Sequence, residues 1–130
     1  MKLLIINPNS DTRMTAVIRQ AAKAYAGGAF QVDCVPTPGA PEFIDSYQDE
    51  VETAPGMMAL IREHEQQFDG FLVACMDDPN LDAIKEITGK PVVGIAEAAM
   101  KIASMIGHRF SIIICPGAYR KSHFERRINH

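Results

Sequence analysis

Phe68 to Ala83 reads FDGFLVACMDDPNLDA, and its first half decides the fold. Gly70 to Ala74 is a short apolar run of the kind that forms a strand buried on both faces, and Cys75, two acids and Pro79 follow it. A strand of that type belongs to a parallel sheet covered by helices. The thiol then stands at the carboxyl end of a strand, the edge where open α/β sheets bind ligands. Cys75 is the first candidate for chemistry.

The flanking sequence repeats the pattern. Leu3 to Ile6 is a second apolar run ending in Asn7-Pro8-Asn9-Ser10, after which Met14, Val17, Ile18, Ala21, Ala22 and Tyr25 fall on one helical stripe closed by Gly27-Gly28. Asn9 or Ser10 reads either as the helix N-cap or as a ligand contact. Phe30 to Val35 alternates, with Cys34 on its packed face. Pro36 to Asp49, with three prolines and Gly39, predicts a long loop at the ligand edge whose Phe43 and Tyr47 wall the site or pin the loop down. A helix is expected after Pro55-Gly56, with Met57, Leu60 and Ile61 inward and His64 packing beside them. Beyond Cys75, Pro79 suits a first helical turn with Asp77 or Asp78 as cap. Val92 to Ile95, a helix carrying Ala99 to Ile106, and a fifth strand at Phe110 to Ile114 complete a βαβαβαβαβ order, hence a parallel sheet flanked by helices on both faces.

Composition narrows the function. A chain of 130 residues, 47% hydrophobic and 22% charged, builds one ordinary domain with a real core. The net charge of -3 gives no reason to expect nucleic acid; the basic segment from Tyr119 to His130 reads as a solvated face. No run approaches the ~20 apolar residues of a membrane span, so no membrane partner is expected. Three widely spaced cysteines make neither a disulfide framework nor a metal site, which predicts a reducing cytoplasm and no metal. The turn after the first strand lacks the glycines of a nucleotide loop. A receiver domain's acid pair and lysine, a hydrolase's GxSxG elbow and a redox CxxC are all absent. One thiol beside a cap-rich loop and helix starts remains, an arrangement that favours a thiolate acting as a base.

INPNSDTRMT, DSYQDE, APG, VACMDDPNLDA and KPVVGIAEAAMKIASMIGHRFSII together resemble the hydantoin and allantoin racemases of the aspartate/glutamate racemase superfamily, over residues 1 to 114. The resemblance implies a cofactor-independent racemase that moves a proton on and off C5 of a five-membered ureide ring. Inversion by deprotonation needs a base on one face and an acid on the other, with charge delocalised onto the adjacent carbonyl. In the family both groups are cysteines, and Cys75 matches the first. Asn7, Asn9 and Ser10, with the backbone N–H groups of Met76 and Asp77, are expected to hold the ring carbonyls; Tyr47 and Cys115 are expected to line the site. Family members have two similar lobes and nearly twice this length. Residues 1–95 would be the first lobe with the Cys75 half-site. Residues 96–130 would be the opening helix and strand of an incomplete second lobe, plus a basic tail. The second thiol has no counterpart here, and Ile114 and Cys115 stand where two threonines are common. A remnant or ureide-binding module that needs another chain is therefore the alternative. The helix from Ala96 to Ile106, without a lobe to pack on, is expected to expose an apolar patch and to favour a homo-oligomer.

Overall fold

The computed structural model describes residues 1–113 and contains four strands and four helices in strict alternation. They are β1 (Lys2–Asn7), α1 (Thr12–Ala26), β2 (Gln31–Pro36), α2 (Tyr47–His64), β3 (Gly70–Val73), α3 (Leu81–Ile87), β4 (Val92–Gly94) and α4 (Ile95–Ile106). All strand pairs are parallel, in the order β2-β1-β3-β4. The chain steps from β1 to β2 on one side, then returns across β1 to β3 on the other. The order thus reverses between β1 and β3, and the loops leaving those two strands diverge to open a crevice.

Pleating sends alternate residues of β1 to opposite faces. Leu4 and Ile6 enter the main core with Met57, Leu60 and Ile61 of α2, Phe71 and Val73 of β3, and Leu81 and Ile84 of α3. Ile5, in register with Cys34 and Leu72, is buried on the other face, where α1 packs against β2. The expected parallel α/β architecture is present, and Cys34 is fully buried as a packing residue. Its thiol is pushed up to about 11, first by burial.

Four local expectations are corrected. The inward face of α1 is carried by buried Thr15 and Ala26, while Met14, Val17 and Tyr25 are exposed, Tyr25 at 88%. Polar ties set this rotation: Thr15 Oγ1 donates to the Asp11 carbonyl at 2.7 Å and accepts from Asn7 Nδ2 at 3.0 Å, and Arg19 reaches Asp33 and the Cys34 carbonyl. Apolar periodicity alone misses such anchors.

The second helix begins at Tyr47 and runs through Pro55. Ser46 caps it, accepting from the Asp49 amide at 3.1 Å while its hydroxyl donates to the Asp49 carboxylate at 2.7 Å. Ser46-x-x-Asp49 is a capping-box spacing legible in the sequence. Proline removes the bond to the carbonyl four residues back, that of Val51, which lies on the exposed side where water can replace it.

The third helix starts at Leu81, after Asn80 in left-handed conformation, so neither Asp77 nor Asp78 caps it and Pro79 precedes it. Finally, Phe110 to Ile113 is not a strand, and Ile114 lies outside the described residues. A strand needs a hydrogen-bonded neighbour, and β4 pairs only with β3 among the described residues. The apolar surface expected on the last helix is present: of α4 only Ala96 is buried, and Met105 and Ile106 are 80% and 82% exposed.

Candidate active site

The crevice between β1 and β3 holds a cleft of about 420 Å³, within the size range of small-ligand sites. The end of β1 contributes Asn7, Pro8 and Asn9, with Met14 from α1. The loop before α2 contributes Phe43, Ile44 and Asp45, and the end of β3 contributes Ala74, Cys75, Met76 and Asp77. Ile95, Ile112 and Ile113 border the remaining side. The walls are mostly apolar, with one half-exposed thiol and two carboxylates among them.

Each wall is held from behind. The Asn7 side chain, 1% exposed, donates to Asn9 Oδ1 at 2.7 Å and to Thr15 Oγ1 at 3.0 Å, so its amide is spent on the turn. Asn9 Oδ1 also accepts from the Asp11 amide at 3.0 Å. The α1 cap is Asp11, one residue beyond Ser10 and two beyond Asn9, the caps expected; it accepts from the Arg13 and Met14 amides. Chiefly the Met14 amide bond lowers the Asp11 carboxyl, against a smaller opposing effect of burial. The proline-rich loop is stitched to the same turn. Thr37 donates its hydroxyl to the Asn7 carbonyl at 2.8 Å and its amide to the Asn9 carbonyl at 3.0 Å, and Ser10 donates its amide to the Pro41 carbonyl at 3.0 Å. Thr53 of α2 donates to the Pro8 carbonyl.

Cys75 follows β3 by two residues. Ala74 extends the ladder, donating to the Ile6 carbonyl at 2.9 Å, and the Cys75 carbonyl accepts from the Asp78 amide at 3.0 Å in a tight turn. The backbone of Met76 and Asp77 therefore lies in a turn five and four residues ahead of the first residue of α3, not at its start as expected. Both residues still line the cleft. Among the other expected site residues, Asn7 and Asn9 are in the cleft wall, whereas Ser10 and Tyr47 are not; of the two aromatic residues expected to wall the site, Phe43 does so. Cys115 lies outside the described residues. His64 sits away from the cleft, edge-on to Phe68 at 5.8 Å, a packing residue as expected. The residues that periodicity missed, Met14, Ile44, Asp45 and Ile95, reach the cleft through tertiary placement alone. Among the described residues no group of acidic, histidine or cysteine side chains is arranged to hold a metal ion.

The fold is a parallel α/β sheet with a partly buried thiol lining a cleft at its switch point. Comparison with known proteins makes this specific. The pattern of the Asp/Glu/hydantoin racemase family matches residues 3–130, and the chain belongs to that family. It is 43% identical over 114 residues to a hydantoin racemase of Pseudomonas sp. (strain NS671), a match covering 87% of this chain and 46% of that one. A hydantoin racemase of Rhizobium meliloti is 39% identical over 114 residues, covering 87% and 47%. The structure of an allantoin racemase from Klebsiella pneumoniae superposes with a TM-score of 0.90 at 34% identity, over 99% of this chain and 53% of that one. The chain spans about half the length of these relatives.

Proposed function

We propose that this chain supplies the first half of a racemase site for a five-membered cyclic ureide of the hydantoin or allantoin type, with Cys75 exchanging the ring proton. The observation that carries this reading is the position of Cys75: half-exposed, at the end of β3, on the rim of a cleft whose other walls are largely apolar. A thiolate in such a cleft loses competing water and abstracts the C5 proton, which the adjacent ring carbonyl acidifies. The stitched Asn7 to Ser10 turn and the Met76–Asp77 turn border the space the ring would fill. The family relatives carry hydantoin and allantoin in their names, which supports this substrate class. A reducing cytoplasm would keep Cys75 reduced, and the reaction would need no cofactor.

A second reading is favoured by one observation. Inversion needs an opposing acid, the relatives are about twice as long, and the other described thiol, Cys34, is buried in β2. On that reading the chain binds the ureide and becomes a catalyst only when another polypeptide, or a second copy seated on α4, brings a group opposite Cys75.

Loss of optical rotation by an enantiopure 5-substituted hydantoin and by allantoin tests both, with Cys75→Ala beside the parent chain. The first reading expects catalysed racemisation that falls by about 10²–10⁴ in the variant, the range for loss of a proton-transfer group. No racemisation, together with saturable protection of Cys75 from iodoacetamide by the hydantoin, selects the second. No racemisation and no protection overturns both.

A further inference from the structure

The turn that carries Cys75 is joined to the start of α4 by one buried carboxylate. Asp78 is fully buried; its Oδ1 accepts from the Ala96 amide at 3.1 Å and its Oδ2 from the Glu97 amide at 2.7 Å. It thus caps a helix 18 residues further along the chain. Three further features serve this placement. Asp78 lies at φ 42°, a left-handed conformation that non-glycine residues adopt rarely, and it does so directly before Pro79. Its amide donates to the Cys75 carbonyl, so the same residue closes the thiol's own turn. Gly94, the last residue of β4, has no room for a Cβ, because the Asp78 carboxyl group occupies that space.

We infer that Asp78 is a positioning residue which holds Cys75 in register with α4, so that the thiol and the Ile95 side of the cleft move as one unit. The inference deepens the half-site reading of Cys75, but its test reads the thiol directly. Because Asp78 takes the second and third amides of α4, those two are unavailable to a substrate anion, and Ile95 borders the cleft as an apolar wall.

The experiment uses Gly94→Ala, which displaces the carboxylate without removing its charge, and Asp78→Asn, which keeps the bulk but can accept from only one of the two amides. Amide hydrogen exchange at Ala96 and Glu97 is followed together with the iodoacetamide alkylation rate of Cys75, read by peptide mass spectrometry. Both are measured under conditions where urea titration shows the variants folded. In each variant, exchange at the two amides should rise about fivefold or more, as for loss of a helix cap, and Cys75 alkylation should change by about threefold or more. A helix cap with no positioning role would loosen Ala96 and Glu97 and leave the thiol rate within about 1.5-fold, and that result overturns the inference. Unchanged exchange at both amides overturns it as well. If Gly94→Ala does not fold, Asp78→Asn decides by the same criteria. A coupled thiol in a protein without racemase activity would sink the catalytic reading and leave this one standing.

Discussion

Two edges of the cleft are built in opposite ways. On the β1 side, Asn7, Asn9, Thr15, Thr37 and Thr53 are all buried polar residues, and each has a hydrogen-bond partner inside the lobe. On the α4 side, Ile102, Met105 and Ile106 face outward and Ile113 is 98% exposed. The β1 edge is finished by the lobe's own residues, because burying polar groups is tolerable only when their bonds are made locally. The α4 edge is an exposed apolar face, the kind of surface that favours association. Asp78 ties the α4 edge to the Cys75 turn that lies between the two.

The contrast predicts a hierarchy of mutational effects. Gly56 of α2 lies so close to the Pro38 carbonyl and to Thr37 Cγ2 that an added Cβ has no room. Gly56→Ala should force the long loop off the helix and lower stability by about 3 kcal/mol, the upper end for overpacking, as read by urea denaturation. Asn7→Ala should come next, at about 2 kcal/mol, since it leaves buried partners of the turn incompletely bonded. It should also speed proteolysis within residues 37–46, which hang on the same turn.

Cys34 sharpens the comparison through pH. Its folded-state pKa of about 11 lies above the ordinary 9.0, so the unfolded chain loses that proton first. The stability contributed by the neutral buried thiol is complete below pH 9 and should drain away between pH 9 and 11. A Cys34→Ala chain should be less stable throughout, with a flatter profile over that window in urea titrations at stepped pH.

The smallest effect is expected on α4. Ile106→Lys should change the stability of an isolated chain by no more than about 0.5 kcal/mol, as for a surface site. The same substitution should weaken any self-association seen by sedimentation velocity. A loss of several kcal/mol there would mean that α4 is already covered, and the contrast between the edges would fail.

Much of the design was legible beforehand. The apolar runs at Leu3–Ile6 and Gly70–Ala74 announce buried parallel strands, and the position of Cys75 just after one of them places a thiol at the ligand edge. The exposed apolar face of α4 belongs to a helix whose apolar residues, Ile102 and Ile106 among them, are readable in the sequence. Capping boxes such as Ser46-x-x-Asp49 are readable too, if given weight over a nearby Pro-Gly pair.

What the amino-acid order alone determined is local: strand or helix, apolar or polar, and which side of a strand a residue occupies, because these depend on neighbours within one or two turns. The tertiary structure decided which face of α1 turns inward, that Phe43 rather than Tyr47 reaches the cleft, and that Asp78 caps α4 instead of its own helix. The first rests on bonds between residues 4 to 15 positions apart, the other two on bonds 18 to 45 positions apart. No periodicity encodes such pairs, since their partners meet only after the parallel sheet has brought the strand ends side by side.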